Sequence, residues 1–214
     1  MMKRNWKLFI LTGLITLLPI AAGLLLWDAL PEEIATHWNM AGEADGWSSK
    51  GFAVIGLPLI LTGIHLICSF ATFMDPNSTR ISQKMLGIVL WICPVISLLG
   101  SGYVLATALG HTQDFPTNTV VSLLLGGLFL YIGNYLPKCT QNYTIGIKLP
   151  WTLADEANWN ATHRFGGWVW TIGGVVILAT CLWSSVFLTI GTLAVMALAP
   201  TVYSFVYYLR HRNG

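Results

Sequence analysis

Charge is what this chain has least of. Asp, Glu, Lys and Arg make up 9% of its 214 residues, against about 25% in a soluble domain. So few charges cannot cover a water-exposed surface, and the mean hydropathy of +0.65 agrees. Cysteine is scarce too. Cys68, Cys93 and Cys181 sit in apolar runs, Cys139 in a segment expected to face the reducing cytoplasm, and no pair has zinc-site spacing. A disulfide framework is thereby excluded. Ionisable groups are missing from the interior of the apolar runs, where only His65 lies near a midpoint. Coupled carriers place carboxylates or paired charges at such depth, so proton- or sodium-coupled transport is disfavoured. His65 reads most simply as a bond between helices. No Ser or Cys stands in a nucleophile context, and no HExxH motif occurs. We expect no catalytic residue, no metal site, no cofactor and no direct nucleic-acid partner.

What is there in quantity is long apolar sequence. Six runs approach the about 20 residues that span a bilayer: Leu8–Trp27, Phe52–Phe73, Met85–Leu109, Thr119–Leu136, Phe165–Trp183 and Ser185–Tyr208. The expected fold is an all-α integral membrane protein of six transmembrane helices. The first run exceeds the roughly 7–15 residues of a signal peptide's apolar region and reads as a retained helix. The fifth and sixth runs are almost contiguous and should form a tight hairpin. Gly126 and Gly127 in the fourth run, and Gly166, Gly167, Gly173 and Gly174 in the fifth, should let those two helices approach closely.

The few basic residues are unevenly placed. Lys3, Arg4 and Lys7 precede the first run, Arg80 and Lys84 follow the second, Lys138, Lys148 and Arg164 follow the fourth, and Arg210 and Arg212 follow the sixth. Only Lys50 falls in the alternate set of loops. Short cytoplasmic loops retain Lys and Arg, so both termini are expected in the cytoplasm of a multi-pass plasma-membrane protein. The organisation reads as residues 1–51, a first helix with an extracellular loop; 52–110, the second and third helices; and 111–214, the last three helices with a cytoplasmic loop at 137–164. Asp28, Glu32, Glu33, Glu43, Asp45 and Asp114 fall outside, and an acidic face favours a cationic visitor.

The extracellular loop between Leu30 and Gly51 carries hairpin signals. A strand over Ile34–Trp38 precedes a turn at Asn39–Gly42, Asp45-Gly46 marks a second turn, and Ser48 or Ser49 suits an N-cap of the second helix. His37, Trp38, Asn39, Glu43, Asp45 and Trp47 are the candidate ligand-binding residues. The two tryptophans pin the loop to headgroups or clamp a peptide; the sequence leaves both open. In the cytoplasmic loop, Thr152–Asp155 has a capping-box pattern, and an interfacial helix is expected from about Leu153. On it Glu156, Asn160 and His163 share a face, with Arg164 two turns from Glu156. Asn142, Lys148, Trp151, Glu156, Trp159, Asn160, His163 and Arg164 are the candidates for a regulator-facing or structural polar surface. In its plainest form, Trp151 and Trp159 dip into lipid while Lys148 and Arg164 meet phosphates.

These two loops carry a resemblance. Asn134–Lys138, Asn142-Tyr143-Thr144-Ile145-Gly146-Ile147-Lys148, Pro150–Leu153, Trp159, Thr162-His163-Arg164 and Gly166-Gly167 resemble the signature of the SdpI family. These are bacterial membrane proteins named for immunity to a sporulation-delaying peptide toxin. Pro31, Ile34, Thr36–Asn39, Gly42 and Asp45–Lys50 resemble the small domain of unknown function that opens many of them. The resemblance implies protection of the producing cell against a secreted peptide toxin, with membrane lipid as the surroundings. It also implies a transcriptional repressor as a possible cytoplasmic partner. The alternatives are a membrane sensor or scaffold without immunity and, less favoured, a membrane enzyme or transporter. The orientation has a direct check. An epitope at residue 45 should be labelled from outside intact cells, and one at residue 155 only after permeabilisation.

Overall fold

The computed structural model describes residues 2–111, 116–183 and 185–211, with side chains from Asn5 onward. Asp114 and Arg212, and the side chains of Lys3 and Arg4, all used above to orient the chain, lie outside the described residues. Helices dominate: α1 (Met2–Leu25), α2 (Leu57–Phe73), α3 (Gln83–Ala108), α4 (Thr117–Tyr135), α5 (Pro150–Ala154), α6 (Glu156–Ala179) and α7 (Val186–His211). Between α1 and α2 lie two strands, β1 (Glu33–Trp38) and β2 (Ala44–Ser49). Among the described residues six helices are long and apolar enough to cross a membrane: Asn5–Leu25, Phe52–Phe73, Gln83–Ala108, Thr117–Lys138, Glu156–Leu182 and Val186–His211. They coincide with the six expected runs. Leu14, Leu18, Ile67, Phe187 and Leu198 are among the many large apolar side chains they expose, a surface that hydrocarbon solvates and water does not.

The residues fall into two compact units, Met1–Phe73 with Gly87–Thr117, and Met74–Leu86 with Asn118–Gly214. In the first, the antiparallel pair β1–β2 sits over a core of Leu30, Ile34, Ala53, Val54, Val104 and Leu105. The turn into α2, Phe52–Gly56, is π-helical and closes with the Leu57 amide donating to the Phe52 carbonyl. Pro58 follows at once and has no amide to continue the ladder. Deeper in the same unit several polar groups answer one another, while His65 Nδ1 and Ser69 Oγ have no hydrogen-bond partner among the described residues. His65 Nε2 lies 3.2 Å from the Thr12 hydroxyl, and Ser97 donates to the Thr16 carbonyl at 2.7 Å. His65 thus joins α2 to α1, the interhelical role expected of it.

In the second unit α4 and α6 approach at glycines. A Cβ on Gly133 would stand 2.6 Å from the Thr171 amide nitrogen, and one on Gly174 2.5 Å from that of Leu130. Helices α6 and α7 form the expected hairpin and run antiparallel. The Asn158 amide donates to the Ser204 carbonyl at 3.1 Å, Phe165 stacks on Tyr203 at 4.5 Å, and the Trp170 indole donates to the Met196 carbonyl at 2.9 Å.

One boundary differs from expectation. The helix feeding the fifth span does not begin near Leu153. Pro150–Ala154 is a single turn of its own, closed by the Thr152 hydroxyl, which accepts from the Leu149 amide at 2.9 Å. Asp155 is then extended and caps α6, its carboxylate accepting from the Ala157 amide at 2.8 Å. Asp155 is the better cap because its carboxylate also meets the positive end of the helix. The close approach of α4 and α6 predicts a contrast. Gly133→Ala should lower stability in detergent by about 1–3 kcal/mol through overpacking. Gly127→Ala, with open space around it, should raise it by roughly 0.5–1 kcal/mol by removing a helical glycine. Denaturant unfolding of the two variants separates them.

Candidate functional site

The hairpin presents the first set of candidates. Its register pairs Ala35 with Trp47, His37 with Gly46 and Trp38 with Ala44, with irregularities on either side of His37. Asp45-Gly46 is therefore not a turn but part of β2. The turn itself is held by Asn39, whose Oδ1 accepts from the amides of Ala41 at 2.8 Å and Glu43 at 3.1 Å. Asn39 Nδ2 also reaches Glu43 at 3.3 Å, and His37 pairs with Asp45 at 2.6 Å. Ser49 accepts from the Phe52 amide at 3.3 Å, the capping role expected at the next helix.

So the hairpin brings His37, Asn39, Glu43 and Asp45 together on an exposed rim. The two tryptophans part. Trp38 packs on Tyr103 at 5.3 Å and on the apolar core, whereas Trp47 is 58% exposed. The hairpin tip is tied down by Thr117, which donates to the Gly42 carbonyl at 3.0 Å and shares a 2.6 Å bond with the Tyr103 hydroxyl. Lys50, the lone base of this region, is buried. Its ammonium donates to the Trp27 carbonyl at 3.2 Å, pairs with Glu32 at 2.9 Å and lies over the Trp27 ring. With Lys50 neutralised, Glu33 and Glu43 have no cationic partner among the described residues.

The second set builds a bracket around residues 139–149. Asn142 is buried and works with both ends of its amide. Oδ1 accepts from the amides of Thr144 at 2.9 Å and Ile145 at 2.6 Å, while Nδ2 donates to the carbonyls of Thr140 at 2.8 Å and Ile145 at 3.0 Å. Gly146 follows at φ 114°, where a side chain would be strained and would strike His163. His163 is fully buried against Trp159, with ring centroids 4.0 Å apart. Its Nε2 accepts from the Ile147 amide at 2.9 Å, so Nδ1 must carry the proton it shares with the Trp159 carbonyl at 2.8 Å. Both ring nitrogens are thereby committed to the backbone. The Trp159 indole donates to the Cys139 carbonyl at 2.7 Å. Trp159 does not dip into lipid; its N–H found a carbonyl inside the protein.

Glu156 and Arg164, two turns apart on one helix, do not meet through Asn160. Instead Glu156 pairs with Arg80 at 2.8 Å. Arg80 also accepts, at its carbonyl, the Thr140 hydroxyl at 2.7 Å. Asn160 and Arg164 face a groove between α6 and α7. Lys148 is exposed and donates to the Thr144 carbonyl at 3.0 Å. The Trp151 indole donates to Ser204 at 2.9 Å. Two participants escaped the sequence reading. Asp75 is buried and accepts from the Asn77 amide at 2.7 Å, the Tyr143 amide at 2.8 Å and the Thr144 hydroxyl at 2.9 Å. Asn158 is buried on α6, and its Oδ1 accepts from the Thr162 hydroxyl at 2.9 Å. Asp75-Pro76-Asn77 is visible as a turn signal, but partners 68 and 69 residues away are not. Among the described residues no three His, Cys, Asp or Glu side chains group to hold a metal.

Residues 138–204 match the SdpI/YfhL protein family, and residues 14–62 match a domain of unknown function, DUF1648. A protein named Immunity protein SdpI, from Bacillus subtilis (strain 168), is 27% identical over 224 residues, covering 100% of this chain and 99% of that one. Both comparisons point to SdpI proteins, the family model over residues 138–204 and the relative over the whole chain. No solved structure matches it significantly. The matched SdpI/YfhL stretch holds most of the bracket and the α6–α7 hairpin as far as Ser204, and the DUF1648 stretch holds the whole β-hairpin. With this similarity and the six apolar helices among its described residues, the protein is a multi-pass plasma-membrane protein.

The bracket also fixes the chemistry of Cys139. Burial pushes its thiol up to about 11, only partly offset by the hydrogen bond from Asn142. A raised folded-state value means that the folded protein favours the thiol. That contribution is complete below the ordinary value of 9.0 and is lost as pH rises toward 11. Maleimide at pH 7.5 should therefore leave Cys139 unlabelled until the protein is denatured, and stability should fall above about pH 9 in the wild type but not in Cys139→Ala.

Proposed function

We propose that this protein is an immunity protein, protecting the cell that carries it from a secreted antimicrobial peptide, with the β-hairpin facing the exterior. The carrying observation is end-to-end similarity to a protein named Immunity protein SdpI. The hairpin supports the location. Its rim is acidic, its base is neutralised at Lys50, and Trp47 and Met40 offer apolar surface beside the charge. A cationic, apolar peptide would be attracted by Glu33, Glu43 and Asp45 and held by contact with Trp47. Trp38 serves this surface from beneath, by seating the hairpin on Tyr103.

A second role, holding a transcriptional repressor at the membrane, rests on family resemblance alone. Lys148, Asn160 and Arg164 are the members of the polar segment whose side chains remain available for it, since Asn142, Trp159 and His163 are enclosed.

Survival of cells exposed to graded peptide tests the first role. Glu43→Gln with Asp45→Asn should reduce the protective concentration range about tenfold at low ionic strength and much less at 0.5 M salt, where screening is nearly complete. The His37–Asp45 pair is exposed, so its loss should change stability by under about 1 kcal/mol. Protection that is unaltered at every salt concentration would remove the hairpin from recognition.

A further inference from the structure

Between α6 and α7 lies an open groove of about 490 Å³. It has a polar end and an apolar end. Asn160 and Arg164 form the first, and Phe165, Trp168 and Tyr203 the second. Ala157 and Ala161, one turn apart on α6, leave room at the polar end. The side chain of neither Asn160 nor Arg164 has a hydrogen-bond or ion-pair partner among the described residues. The carboxylates on the same stretch are already engaged, Glu156 by Arg80 and Asp155 by the helix cap. Arg210, in the last turn of α7, adds positive charge at the same end of the hairpin. An anion is therefore the complementary ligand.

The level of the groove says which anion. Unbroken apolar sequence on α6 resumes at Phe165, immediately after Arg164, so Arg164 stands where an apolar span meets the headgroups. Trp168, one turn deeper, is 67% exposed and stands alongside whatever occupies the groove. We infer that this groove is a selective site for an anionic phospholipid. The headgroup phosphate accepts hydrogen bonds from the Arg164 guanidinium and the Asn160 amide, and an acyl chain runs along Phe165 and Trp168. A free phosphate would satisfy the polar end but leave the aromatic wall without a partner. The site does not depend on any immunity role.

Native mass spectrometry of the full-length protein, released from micelles containing equal phosphatidylglycerol and phosphatidylcholine, tests the assignment. The wild type should retain the anionic lipid about tenfold over the zwitterionic one, and Arg164→Gln should abolish the preference. Arg164→Lys should keep most of it, and Lys84→Gln, an exposed cation elsewhere, all of it. If Arg164→Gln does not fold, Asn160→Leu should still lower the preference. Phosphatidylglycerol with brominated chains should quench indole fluorescence in the wild type and much less in Trp168→Phe. Equal retention of the two lipids, an undiminished preference in Arg164→Gln, displacement by about 10 mM inorganic phosphate, or a peptide or second copy in place of the lipid would each overturn the proposal.

Discussion

Hydrocarbon offers no hydrogen-bond partner, and this single constraint shapes both units. A polar atom at depth finds a partner only within the protein, and His65 Nδ1 and Ser69 Oγ are buried without one among the described residues. Thr12, Thr16, His65 and Ser97 are accordingly buried and bonded across α1, α2 and α3. Between α4 and α6 the same constraint appears as absence. Glycines let the backbones meet directly, because packing rather than water exclusion joins helices in lipid.

Where the chain leaves the helical ladder, side chains take over the satisfaction of its backbone. Residues 139–149 have no regular structure, yet Asn142, Asp75, His163 and Trp159 serve their amides and carbonyls one by one. Hydrogen bonds to a charged group contribute roughly 1.5–3 kcal/mol each, and the Asp75 carboxylate accepts three. His163, Trp159 and Asp75 are thus occupied in holding backbone. Both nitrogens of His163 are bonded to it. The groups left unengaged, Asn160 and Arg164, stand apart in the α6–α7 groove.

The hairpin follows a different logic. Its lone base is withdrawn to the Trp27 carbonyl and Glu32, so the exposed rim keeps its acidic sign. Its inner face, Ile34 and Trp38, sits on helices of its own unit, while Trp47 lies on the outer face. Strand alternation divides the two tryptophans between structure and surface.

The legibility of these features follows the range of the interactions behind them. The sequence by itself determined the six spans, the hairpin and the tight packing of the fourth and fifth spans, because each depends on hydrophobicity, small residues or turn chemistry read over a few neighbours. Tertiary structure decided the rest. Glu156 met Arg80 rather than Arg164, Trp159 met the Cys139 carbonyl rather than lipid, and Asp75 met Tyr143 and Thr144. Each is a contact between residues remote in sequence, and a helical periodicity can say which side chains share a face but not which distant group that face will meet.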